Sequence, residues 1–151
     1  CAEFFWGSSL YQATFVEANS YSEFKSWNEV QVLCQQTDCQ LVSITTLDEN
    51  NAILNSLENC TYGDYAIGLS RQMGKPKGSA SSWNWESGET VNLLNWGNYE
   101  PNLQDSKSTG VYMTTLESYV SGKWHDLENT ERIGLNTGSP GYGYICEKSV
   151  I

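Results

Sequence analysis

At 151 residues the chain has room for one domain with a real core, expected over 1–151, and no stretch approaches the apolar length of a membrane span. Eighteen acidic against 8 basic side chains give a net charge of -10. That balance argues against nucleic-acid partners and anionic membranes, and it suits a soluble or cation-binding protein.

The first 20 residues alternate aromatic and small polar side chains and read as strands. Residues 22–36 read as a helix, because Phe24, Trp27, Val30 and Cys34 fall on one face. Leu41 to Ile44 is a short strand. Thr46 and Glu49 have capping-box spacing and open a second helix, with Leu47, Leu54 and Leu57 on its expected inner face. Tyr65 to Leu69 reads as a buried strand. Residues 70–109 are dominated by Gly, Ser, Asn and Trp, and so long an irregular stretch is uncommon unless it is functional. Val111 to Leu116 and Lys123 to Leu127 read as strands around a turn at Ser121-Gly122, and Tyr142 to Glu147 as the last strand. Two helices followed by a mostly β half make an α+β pattern.

Five cysteines, at 1, 34, 39, 60 and 146, point to an oxidising compartment. There is no CxxC pair and His125 is the single histidine, so a structural zinc site is not expected. A chain beginning at Cys1 reads as a processed, secreted form. The sequon Asn59-Cys60-Thr61 agrees with secretion.

The most telling pattern is Glu100-Pro101-Asn102, followed 22 residues after Asn102 by Trp124-His125-Asp126. It brings two carboxylates, an amide and an imidazole within reach of one site. Carboxylate and amide oxygens suit a hard cation such as calcium, in a shell of roughly six to eight oxygens. An X–Pro bond is cis at a cost of only ~0.5–1 kcal/mol, and a cis bond here would turn Glu100 and Asn102 to the same side.

These residues resemble a C-type lectin domain. The Trp27 to Cys34 spacing is similar to the family's first-helix signature. Leu41-Val42-Ser43-Ile44 with Glu49, then Ala66-Ile67-Gly68-Leu69, follow its next two motifs, with Ala66 where the family has Trp. Trp85-Glu86-Ser87-Gly88, Asn95-Trp96 and Glu100-Pro101-Asn102 match its long-loop signature. Trp124-His125-Asp126 stands where the family has Trp-Asn-Asp, and Tyr144-Ile145-Cys146-Glu147 matches its final strand. The resemblance covers the chain from about Thr14 onward.

The resemblance implies a C-type lectin-like fold, two helices packed on antiparallel sheets with a long calcium-binding loop. It also implies glycan partners, held by direct coordination of neighbouring sugar hydroxyls to Ca2+. It implies a Cys34–Cys146 bridge. The family's second bridge is missing, since Gly110 and residues 127–129 carry no cysteine. Cys39 and Cys60 flank the second strand and helix and are paired here with each other, which leaves Cys1 either as a free or capped thiol or as the link of a disulfide-bonded homodimer.

The implied calcium ligands are Glu100, Asn102 and Asp126. Glutamate only accepts hydrogen bonds, whereas asparagine both accepts and donates, so this pair can bind metal and read hydroxyls together. His125 replaces an amide with a nitrogen that calcium accepts poorly, and weakened calcium affinity is expected. It would still contact metal or sugar. A further acid of the family falls near Ser108, and Asp105 is the nearest substitute. The auxiliary calcium site is expected to be absent, because Arg71, Gln72, Lys75 and Leu103 occupy its places.

Glu-Pro-Asn implies mannose, GlcNAc or fucose specificity. Tyr99 and Trp83 are candidate stacking rings that keep galactose open, while Trp85 and Trp96 are assigned to the loop scaffold. The alternative is a lectin-fold protein that binds a protein or ice surface without sugar. Enzymatic activity is not expected: there is no GxSxG motif, no cysteine is placed beside His125, and adjacent strand residues such as His125 and Asp126 point to opposite faces.

Overall fold

A computed structural model describes residues 1–150. The first two strands, β1 (Ala2–Trp6) and β2 (Ser9–Glu17), form a hairpin whose turn places Gly7 at a φ of 58°, where a glycine costs least. Helix α1 (Trp27–Gln35) starts at Ser26, whose hydroxyl accepts from the Glu29 amide while the Glu29 carboxylate accepts from the Ser26 amide. This reciprocal cap explains why the helix starts five residues later than periodicity places it. Strand β3 (Gln40–Leu41) is shorter than expected, although Val42 continues its pairing by donating to the Ile145 carbonyl.

Helix α2 (Leu47–Ser56) opens at Thr46, whose hydroxyl accepts from the Glu49 amide as the capping-box spacing predicts. The Glu49 side chain does not complete the box. It turns inward, accepts from the Thr45 amide and from the Tyr11 hydroxyl, and is buried. Leu57 is buried as expected, but Leu47 is exposed because it is the first helical residue and faces out.

The remaining strands are β4 (Asp64–Arg71), β5 (Trp83–Trp85), β6 (Thr109–Thr114), β7 (Trp124–Glu128) and β8 (Gly141–Ser149). They form a mixed sheet in the order β1-β2-β8-β4-β6-β7, with β3 on β8 and β5 on β4. The last strand therefore lies beside the first hairpin, antiparallel to β2 and parallel to β4. One core lies between the sheet and α2 and holds Ile53, Leu69, Trp83, Trp85, Val111 and Trp124. The other lies under α1 and holds Trp27, Val30, Leu41, Tyr112 and Ile133. Trp27 donates its indole N–H to the Ile67 carbonyl at 2.9 Å.

Gly110, at the place of the missing family cysteine, lies directly beneath that indole. A Cβ at Gly110 would stand 2.3 Å from Trp27 Cγ, so no side chain fits there without moving the ring.

The Cys34–Cys146 bridge ties α1 to β8, as the resemblance implies. The second bridge corrects the expectation. Cys60 pairs with Cys1, not Cys39, because β1 runs alongside β2 and brings the chain's start to the turn that follows α2. Cys39 is a buried free thiol. With its sulfur bonded within the chain, Cys1 has no thiol left to link two subunits.

Candidate functional site

The site lies on the long segment between β4 and β6, residues 72–108, which β5 divides in two. Its base is held by Arg71, a fully buried guanidinium at the end of β4. Nη1 donates to the carbonyls of Lys75 at 2.7 Å and Asp105 at 3.1 Å, and Nη2 donates to the Gln104 carbonyl at 3.1 Å. The same cation lies 5.5 Å from the centre of the Trp83 ring, its cross-strand partner. A planar fork with five donors suits several carbonyls at once. Arg71 thus supplies positive charge and directional bonds at the base of the loop.

At the other end, the Glu100–Pro101 peptide bond is cis. The Asn102 and Leu103 amides that follow both point at Asp126, which is buried on β7: Oδ1 accepts from Asn102 at 3.0 Å and Oδ2 from Leu103 at 3.2 Å. Glu100 Oε1 accepts from the Asp126 backbone amide at 3.3 Å. Glu100 therefore holds the Asp126 backbone while Asp126 holds the two residues after Pro101, which brings the two carboxylates side by side. Burial pushes the Asp126 carboxyl above its ordinary range, and the adjacent Glu100 charge pushes the same way, against the two backbone amides that pull it down. Two acids share a partly dry site with too little positive charge.

His125 faces the opposite way from Asp126 along β7. Its ring stacks on Tyr112, its cross-strand partner, with centroids 5.4 Å apart, and Nδ1 is 3.6 Å from Glu100 Oε1. Nε2 is buried and without a hydrogen-bond partner, pressed against Gly97, where a Cβ would come within 2.9 Å of it. The imidazole therefore abuts the carboxylate from below rather than standing free at the surface. Asn102 is exposed, and its side-chain amide makes no hydrogen bond among the described residues. Tyr99 is 96% exposed and has a φ of 65°, a left-handed conformation that a tyrosine rarely adopts.

The structure thus brings Glu100, Asn102, His125 and Asp126 together with Tyr99. Asp105 belongs to the other end. Its Oδ1 accepts from the Lys77 amide at 2.9 Å and its carbonyl serves Arg71 and the Gly74 amide, with no hydrogen bond to Glu100 or Asp126 among the described residues. Trp83 is corrected as a stacking surface. It is buried against Trp96, with centroids 4.7 Å apart, and donates to the Lys77 carbonyl, so sugar cannot reach its face. Trp85 and Trp124 meet edge to face in the same core. Sequence reasoning missed Arg71 as an organiser. Its signal was a cation at the end of an otherwise apolar buried strand, where a lone charge needs several acceptors.

The donors at the tip fit a hard cation in kind, with paired carboxylates and a free amide oxygen crowded by like charge. They fit in number only partly. Both Asp126 oxygens already accept a backbone N–H, and no group of three or more acidic, histidine or cysteine side chains placed to hold a metal ion occurs among the described residues.

A lectin C-type domain family model matches residues 23–148. C-type mannose receptor 2 of Rattus norvegicus is 27% identical over 150 residues, which is 95% of this chain but 9% of that receptor. The chain thus spans about a tenth of that receptor's length. Among solved structures, a calcium-independent type II antifreeze protein superposes with a TM-score of 0.68 at 23% identity, covering 99% of this chain and 93% of that one. The SPL-1–GlcNAc complex superposes with a TM-score of 0.70 at 17% identity, covering 97% and 92%. At those identities the likeness is one of fold alone. The matched segment includes both helices, the long loop and the last strand, and the chain belongs to the C-type lectin domain family.

Proposed function

We propose that the chain is an extracellular glycan-binding module, not an enzyme, and that its site is the loop tip formed by Glu100, Asn102, Asp126 and Tyr99. The observation that carries this reading is the side-by-side pair of Glu100 and Asp126, where burial and the neighbouring carboxylate keep the Asp126 carboxyl raised against the two backbone amides it accepts. Glu100, Asn102 and Asp126 are the residues that would hold Ca2+, and the bound ion would supply coordination positions for two neighbouring sugar hydroxyls. The protein's own part is recognition. Glu100 accepts a hydroxyl proton, the Asn102 amide donates to a hydroxyl oxygen, and Tyr99 offers a ring to an apolar sugar face. His125 acts by position, backing the Glu100 carboxylate from the Tyr112 side. Mannose, GlcNAc or fucose is the first expectation, with galactose open through Tyr99. Two bridges within the chain support an oxidising, extracellular setting.

A second reading is favoured by one observation. The loop is already fastened by Arg71, and each Asp126 oxygen already accepts a backbone amide, so protein contacts alone tie down both ends of the loop. Such a tip could bind a protein or ice surface without metal or sugar. Isothermal titration with simple hexoses in millimolar calcium, repeated in EDTA, separates the two. Sugar heat that disappears in EDTA and in Glu100→Gln supports the first reading. Undiminished heat in EDTA removes the metal from it, and absence of sugar heat under both conditions overturns it.

A further inference from the structure

The sequon Asn59-Cys60-Thr61 lies apart from the loop tip and has surroundings of its own. We infer that Asn59 carries an N-linked glycan, and that closure of the Cys1–Cys60 bridge decides what fraction of molecules receives it. Asn59 ends a 3-10 turn, Leu57–Asn59, with its side chain exposed and free of hydrogen bonds among the described residues. The Thr61 hydroxyl likewise has no partner, since only its carbonyl is engaged, by the Tyr65 hydroxyl at 2.6 Å. Leu57, Glu58 and Tyr62, neighbours of Asn59 along the chain, line an open groove of about 340 Å³, so the exposed acceptor amide lies on an open part of the surface.

The middle residue is the opposite. Cys60 is buried, its amide donates to the Leu57 carbonyl at 2.9 Å, and its sulfur is joined to Cys1 across a separation of 59 residues. Glycosylation of Asn-X-Thr needs the tripeptide to leave its turn and extend, so that the threonine hydroxyl meets the asparagine amide in the transferase. Asn59 Nδ2 then attacks the anomeric carbon of a lipid-pyrophosphate-linked oligosaccharide. The N–C bond forms, the bond from that carbon to the phosphate oxygen breaks, the amide proton passes to a base of the transferase, and the lipid pyrophosphate leaves. A closed bridge holds the turn shut. Transfer and bridge formation therefore compete, and the glycan must come first.

The test is expression of the full chain through the secretory pathway of a eukaryotic cell, read as intact mass before and after an amidase that removes N-glycans. Wild type is expected as two populations, of which the heavier collapses on amidase treatment. Asn59→Gln and Thr61→Ala should each give the light form alone. Cys1→Ser should raise the heavy fraction. So that poor secretion of that variant leaves the test intact, wild type labelled in cells with a permeant thiol reductant, and counted in the lysate, should show the same rise. Absence of amidase-sensitive mass in both lysate and medium overturns the site. A heavy fraction unchanged by reductant and by Cys1→Ser, or complete already in wild type, overturns the competition.

Discussion

The two ends of the long loop solve the same problem with opposite charges. At its base, one buried cation gathers three backbone carbonyls: Arg71 bonds Lys75, Gln104 and Asp105 and rests against Trp83, while its Nε is buried without a partner among the described residues. At its tip, two carboxylates gather backbone amides, and the arrangement is left with excess negative charge. Both are side chain–to–backbone clasps, but the first holds one charge among carbonyl dipoles and the second sets two like charges side by side. The base is therefore held by contacts within the protein, while under the proposed function the crowded carboxylates of the tip are where a cation would bind.

The largest expected effect lies at the base. Arg71→Met keeps most of the apolar volume and removes the fork, taking one donor from each of three carbonyls, of which Asp105 keeps the Gly74 amide. Charge-assisted hydrogen bonds of this kind contribute about 1.5–3 kcal/mol each and are not additive, so a loss of about 3–5 kcal/mol is expected in urea unfolding. Arg71→Lys should recover only part of it, because a compact ammonium does not span the fork's three acceptors. Amide exchange should rise in 72–80 and 103–107 while β2 and β8 stay protected. A loss below about 1 kcal/mol would mean that β5 and Trp83 hold the loop without help.

The same contrast explains what was legible in the sequence. Elements with a period or a cap could be read: the face of α1, the Thr46 cap of α2 and the alternation of β1 and β2. So could the tip, because Glu100, Asn102 and Asp126 sit in short motifs and the cis Glu100–Pro101 bond is a local property. The base was not legible, since Arg71 acts on backbone oxygens of residues 75, 104 and 105, whose identities carry no trace of the contact. Trp83 failed as a sugar ring for the same reason: only its register opposite Arg71 reveals that it faces inward. The Cys1–Cys60 pairing depends on where β1 lies in the sheet, and proximity along the chain favoured Cys39 instead.

A smaller, sign-changing effect is expected at the tip. Asp126 has a folded-state carboxyl raised above its ordinary 3.8, so the native state holds that proton more tightly than the unfolded chain does. Stability from this group is full below about 3.8 and declines as pH rises through the folded value, leaving a penalty at neutral pH. Glu100→Gln removes one source of that penalty. In EDTA at neutral pH the variant should be more stable than wild type by on the order of 1 kcal/mol, far below the Coulomb bound for adjacent charges. The gain should vanish at acid pH, where the Asp126 carboxyl is protonated and the repulsion is gone. In millimolar calcium the ranking should reverse under the proposed function, because only wild type retains both carboxylates. Equal stability under all three conditions would show that the two acids are independent.

The smallest effect on stability, and the sharpest on function, belongs to Tyr99. Its backbone is left-handed and its ring is 96% exposed, so the fold draws no packing from the side chain. A left-handed residue with a Cβ costs roughly 1–2 kcal/mol relative to glycine in the folded state. Glycine in turn loses more conformational freedom on folding, which offsets part of that. Tyr99→Gly should therefore raise stability slightly, by about 0.5–1 kcal/mol, in thermal unfolding. If the ring is a platform for an apolar sugar face, the same variant should lose glycan affinity while its calcium affinity stays unchanged. Tyr99→Phe keeps the ring and the strained backbone, and it should match wild type in both respects. A more stable variant with weaker sugar binding and undisturbed metal binding would assign the strain at Tyr99 to recognition. Unchanged sugar binding would confine recognition to Glu100, Asn102 and Asp126 and leave the exposed ring without a role in it.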